Sequence, residues 1–127
     1  MAKLNLIDTS AWIAFFKNDD PVASLVDAAL ADGSAAVCGL IELELRAGIR
    51  PEERDPVLAL IDAAHRLPTE EIDYARAGDL LAELRRNGVT VPSTDGLIAH
   101  LAIKYDASLI EKDRHFQHFA VSRPRGG

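Results

Sequence analysis

Short apolar runs alternate along this chain with longer stretches of helical period, and that alternation limits the folds open to it. Lys3 to Ile7, Ala35 to Cys38 and Ser108 to Ile110 have the length and character of strands buried on both faces. Between them, a helix is expected from Ala11 to about Phe16, capped by Thr9 or Ser10. A second starts near Pro21, keeps Val22, Leu25, Val26, Ala29 and Leu30 on one face, and stops at Asp32-Gly33. Leu40 to Ala47 forms a third, ended by Gly48. After "RPEERDP" the spacing predicts a helix from Asp55 to Ala64, an extended piece from Leu67 to Ile72, and a long amphipathic helix from Tyr74 to Asn87, closed by Gly88. A last helix starts at "PSTDGLIAHLA" with Ser93 or Thr94 as its cap. Strands and helices in this order predict α/β architecture, a three-layer sandwich with a central, mostly parallel twisted sheet.

The 127 residues suit one domain, expected over residues 1–122, with a flexible tail at 123–127. With 48% hydrophobic and 27% charged residues the chain can bury a core. No apolar run approaches the roughly 20 residues needed to cross a bilayer. The start "MAKLNLIDTS" lacks the order of a secretion signal, so no membrane association and a cytoplasmic location are expected. A single cysteine, Cys38, excludes an intrachain disulfide and reads as a buried core residue. The net charge of −6 argues against bulk electrostatic binding of nucleic acid. It leaves room for a nuclease that concentrates carboxylates around cations.

The acids therefore matter by position. In parallel sheets a site forms outside the carboxyl ends of the strands. Asp8 ends the first strand and Asp113 closely follows the last, Glu44 lies in the helix after the second strand, and Asp95 lies in the first turn of the last helix. Singly, each has an ordinary explanation as a cap, a turn residue or a solvated helix residue. Together they are harder to dismiss, because crowded carboxylates repel one another unless a cation neutralises them. A donor set of oxygens without histidine or cysteine suits Mg²⁺ or Mn²⁺ and metal-assisted phosphoryl hydrolysis.

Four segments, "IDTSAWIAFF", "ELRAG", "TDGLIAHLA" and "EKDRHF", resemble in order and spacing the motif blocks of PIN-domain ribonucleases, and a chain this short is similar to VapC toxins. The resemblance spans Leu4 to about Val121. It implies a PIN-like fold and an endoribonuclease dependent on Mg²⁺ or Mn²⁺ that cleaves cellular RNA, often tRNA or rRNA, and arrests growth. It also implies neutralisation by a cognate VapB-type antitoxin whose C-terminal segment reaches the acidic pocket, and a homodimer. By the same resemblance Asp8, Glu44, Asp95 and Asp113 form the catalytic, metal-holding quartet, and Thr9 and Ser10 support it. Glu42 competes with Glu44 but does not keep the spacing to Gly48, and two residues along a helix it points elsewhere. Glu111 departs from the family, which usually has a small hydroxyl residue there.

Arg46, Lys112, Arg114 and His115 are the candidates for RNA contact. His65, His100 and His118 lack the pairing a zinc hydrolase needs and read as surface or core residues. Trp12, Phe15 and Phe16 read as core or interface. Two other classes fit an acid at the end of the first strand. A phosphatase of the haloacid-dehalogenase kind needs a second Asp where this chain has Ser10. A non-catalytic protein-binding domain with an acidic pocket is the third reading.

Overall fold

The computed structural model describes residues 3–124. Its strands are β1 (Asn5–Ile7), β2 (Ala35–Val37), β3 (His65–Arg66) and β4 (Ser108–Ile110). Its helices are α1 (Thr9–Phe16), α2 (Val22–Ala31), α3 (Gly39–Gly48), α4 (Arg54–Ala63), α5 (Glu71–Arg86) and α6 (Ser93–Lys104). Short 3₁₀ turns occupy Pro51–Glu53 and Arg114–His118. The strands form one sheet in the order β3-β2-β1-β4, every pairing parallel. Helices flank it in a three-layer α/β sandwich, α1 packed on α2 and α5 on α6.

Strands this short are stable because both faces are covered: Leu6, Ile7, Ala36, Val37, Leu109 and Ile110 are all buried. Trp12, Val26, Ile41, Ile98, Leu101 and Phe116 reach the same core from the surrounding elements. Val26 and Ala29 of the expected α2 face are buried, and Val22, Leu25 and Leu30 pack at its margin. Gly33 and Gly88 take positive φ, 77° and 82°, and so end α2 and α5 where side-chained residues would be strained.

Several boundaries differ from expectation, each for a local reason. Asp8, not Thr9 or Ser10, caps α1: its carboxylate accepts the Ser10 N–H. Neither Ser93 nor Thr94 caps α6, because Pro92 enters in extended geometry and its carbonyl accepts the Asp95 N–H at 3.1 Å. The extended piece is shorter and earlier than expected. β3 ends at Arg66, the Leu67 N–H still reaches Val37 O, and α5 already starts at Glu71. A reciprocal capping box starts that helix, with the Glu70 N–H donating to Asp73 Oδ2 at 2.7 Å and the Glu70 side chain accepting from the Asp73 backbone.

Asp73 is the most buried charge outside the sheet edge. Fully covered, it also accepts from His100 Nε2 (2.8 Å) and Lys104 Nζ (3.0 Å), which fastens α5 to α6. These bonds, led by the Glu70 backbone N–H, hold its carboxyl well below the usual range. Gly96 makes the close approach possible. A Cβ there would lie 2.6 Å from Leu81 Cγ.

Candidate active site

From β1 the sheet continues to β2 and β3 on one side and to β4 on the other, so the carboxyl end of β1 is the point where strand order reverses. In open α/β sheets that crevice is where ligands bind. Asp8 stands there. It follows Ile7 directly, and its backbone N–H donates to Ile110 O of β4 at 2.9 Å. The side chain is buried, with 5% of its surface exposed. Oδ2 accepts from Ser10 N at 3.0 Å and from Ser10 Oγ at 2.6 Å.

Ser10 also ties the two strand ends together, since its Oγ accepts the Lys112 N–H at 3.0 Å. Thr9 reaches the other way and donates to Glu44 Oε1 at 2.8 Å. Thus Thr9 links the start of α1 to Glu44 of α3 on one flank, and Ser10 links Asp8 to the segment after β4 on the other. Asp113 follows in that segment, half-buried and near enough to Asp8 for their charges to interact. Asp95 is buried in the first turn of α6, where the helix dipole favours a carboxylate. Among the described residues, no three His, Cys, Asp or Glu side chains close into one metal-ligand cluster.

Electrostatics mark the pocket as crowded with negative charge. Burial pushes the Asp8 carboxyl up, the Ser10 bonds pull it back, and Asp113 adds to the rise. Glu111 is also raised, chiefly by burial, with Asp8 and Asp113 adding and Arg123 opposing. Glu111 borders the site, because it sits between Ile110, whose carbonyl receives the Asp8 N–H, and Lys112, whose N–H donates to Ser10 Oγ. Cys38, buried beneath it, has its thiol pushed up, mainly by burial and further by Asp8 and Glu44, so it is a core residue and no nucleophile.

Glu42 is elsewhere engaged. It pairs with Arg46 at 2.7 Å and with Arg66, and the bonds from these two arginines hold its carboxyl low. Arg46, a candidate for RNA contact, is thus committed to a surface ion pair. Lys112 pairs with Asp19 in the turn after α1. The side chains of Arg114 and His115 lie outside the described residues. A cleft of about 370 Å³ opens beside Thr9 and Glu44, walled by Ile13, Phe16, Leu45, Ile49 and Val57. Two features were not anticipated from sequence: the Glu111–Arg123 contact, since Arg123 reads as tail, and the Asp73–His100–Lys104 network. Neither leaves a signal in the sequence, since Glu70-x-x-Asp73 departs from the Ser/Thr-x-x-Glu/Gln spacing by which a capping box is read.

Known proteins carry the same arrangement of elements. The family model for the PIN domain matches residues 6–122. Ribonuclease VapC11 of Mycobacterium tuberculosis is 33% identical over 121 residues, which cover 91% of this chain and 90% of that protein. Among solved structures, VapBC2 from Rickettsia felis bound to a promoter DNA fragment gives a TM-score of 0.76 at 18% identity, over 95% of this chain and 97% of that one. DNA-bound VapBC from Salmonella typhimurium gives 0.76 at 19% identity, over 96% of each chain. At those identities the structural likeness speaks for the fold, and the sequence match speaks for kinship. The chain belongs to the PIN domain family.

Proposed function

We propose that this protein is a divalent-metal-dependent endoribonuclease, the toxin of a VapBC-type toxin-antitoxin pair. Asp8, Glu44, Asp95 and Asp113 would hold the metal, and Thr9 and Ser10 orient the acids. The observation that carries the reading is Asp8: a buried carboxylate at the reversal point of a parallel sheet, beside a second acid from the far end of the chain.

PIN-domain ribonucleases generally depend on divalent metal, and the residues here fit one. The donors are carboxylate oxygens, and burial and mutual repulsion raise Asp8, a cost that a cation relieves. An open arrangement suits Mg²⁺ or Mn²⁺, because such an ion binds through a few carboxylates and keeps several waters. A divalent ion held by these acids would supply Lewis-acid polarisation of the phosphodiester and would lower the pKa of an attacking water. The chain's part is positional. Ser10 fixes the Asp8 carboxylate through its backbone N–H and hydroxyl, and Thr9 fixes Glu44. A carboxylate of the quartet takes up the proton that the attacking water releases.

The apolar cleft beside Glu44 supports neutralisation by a cognate antitoxin, whose C-terminal segment would lie along Ile13, Phe16 and Val57 and reach the acids. Cellular RNA, tRNA or rRNA, is the proposed substrate, and a homodimer the proposed assembly. Among the described residues no helix is long and apolar enough to cross a membrane.

The test is cleavage of tRNA and rRNA by the purified protein with Mg²⁺ or Mn²⁺, with and without chelator. Asp8→Asn is expected to reduce cleavage by about a hundredfold or more, the order that removing one charge-stabilising group costs an enzyme, while keeping the native circular dichroism spectrum. A folded Asp8→Asn protein that cleaves like the wild type would refute the assignment.

A further inference from the structure

Glu111 follows β4 directly, and its side chain is only 15% exposed. Its partner comes from one residue beyond the stretch that the family model matches. Arg123 Nε lies 3.3 Å from Glu111 Oε1. The guanidinium is also held from behind, donating to Phe116 O at 3.2 Å and to Val121 O at 3.4 Å. The backbone that carries it is anchored as well. Ser122 makes a parallel bridge to Ser108 of β4, and the Leu109 N–H donates to Ser122 O at 2.9 Å. A surface arginine on a free tail would sample many positions. This one is a fixed charge, held by the sheet edge and by main-chain carbonyls, beside a carboxylate that sits between Ile110, whose carbonyl receives the Asp8 N–H at 2.9 Å, and Lys112, whose N–H donates to Ser10 Oγ at 3.0 Å.

We propose that Arg123 is the built-in counter-cation of the acidic pocket, a positioning residue that neutralises Glu111, so that the segment after β4 sets the pocket's net charge and with it the affinity for a divalent ion. The inference rests on the reading of the pocket as a metal site. A fixed pair contributes almost no net charge to that site. Breaking it from either side shifts the charge in opposite directions, and this separates an electrostatic role from a merely structural one.

The experiment is calorimetric titration of Mn²⁺ alone into the full chain without RNA. Removing the positive charge in Arg123→Gln is expected to tighten Mn²⁺ binding roughly three- to tenfold, the size expected of one unit charge several ångströms from a divalent ion in partly screened surroundings. Glu111→Gln, which leaves the arginine uncompensated, should weaken binding by a similar factor. The double variant and Arg123→Lys should both return to within about twofold of the wild type, since each restores the charge balance. If Arg123→Gln and Glu111→Gln lower the melting temperature but leave Mn²⁺ affinity unchanged, or shift it in the same direction, the pair is only a clasp and the proposal fails. Asp8→Asn separates that failure from failure of the site. Loss of Mn²⁺ binding in Asp8→Asn with no effect in Arg123→Gln overturns the counter-cation alone, whereas undiminished binding in Asp8→Asn removes the metal site and the counter-cation together.

Discussion

Thr9 and Ser10 are adjacent hydroxyls with opposite tasks. Ser10 folds back on Asp8 and bridges to Lys112, while Thr9 reaches across to Glu44. Because Asp8 itself caps α1, neither hydroxyl is consumed by the helix end. Thr9 is the sharper probe, since it touches one acid and belongs to no cap. Thr9→Val keeps the shape and removes the donor. It should cost about 1 kcal/mol of stability or less. Its effect on Mn²⁺ affinity or cleavage should be larger, about tenfold or more, as is usual when a group orienting a metal ligand is lost. Thr9→Ser should restore most of the loss, and titration of Mn²⁺ with a parallel cleavage assay checks both. If Thr9→Val binds and cleaves like the wild type, Glu44 does not depend on the bond for its position.

At the level of elements, α6 carries Asp95 and must lie close against α5. The contact is set by Gly96, whose missing Cβ leaves space for Leu81. Gly96→Ala is expected to destabilise the protein by about 1–3 kcal/mol, the usual penalty for overpacking, even though alanine is the better helix former. Denaturant unfolding of Gly96→Ala in the wild-type and Leu81→Ala backgrounds checks this. The cost should shrink where the leucine is already gone, because the two residues share one space. Most elements were legible in the sequence for a plain reason: a buried strand needs an apolar run, and an amphipathic helix needs its apolar face to recur with the helical period. Ser108 to Ile110 and the apolar face of α2 could be read in this way. The true start of α5 could not, because Asp73 looks like a surface acid until α6 brings His100 and Lys104 to it. The placement of Asp8 and Asp113 at the same edge of the sheet followed from the βα alternation, whereas the pairing of their strands comes from the fold. The Arg123 contact depends on a chain reversal after β4 that leaves no periodic trace.

At the scale of the molecule, the sheet alone does not hold the acids in place. β1 and β4 fix Asp8 and the segment that carries Asp113, while Asp95 rides on α6, which is set into the core through Ile98, Leu101 and Ala102 and carries α5 packed against it. The Asp73 network is the polar anchor of that packing. Because its carboxyl is held below the ordinary value of 3.8 in the folded protein, the unfolded chain takes up a proton first on acidification. Its stabilising contribution is therefore complete above the usual carboxylate range and fades as the pH falls through it. Asp73→Asn keeps the size but not the charge. The wild type should melt several degrees higher than this variant near neutral pH, and the difference should narrow below about pH 4. Circular dichroism melts across that range provide the measurement. A constant gap from neutral to acid would mean that the contribution comes from packing shape and not from the ionised carboxylate. If the charge is responsible, acid should loosen α5 from α6 before it disturbs β1 and Asp8.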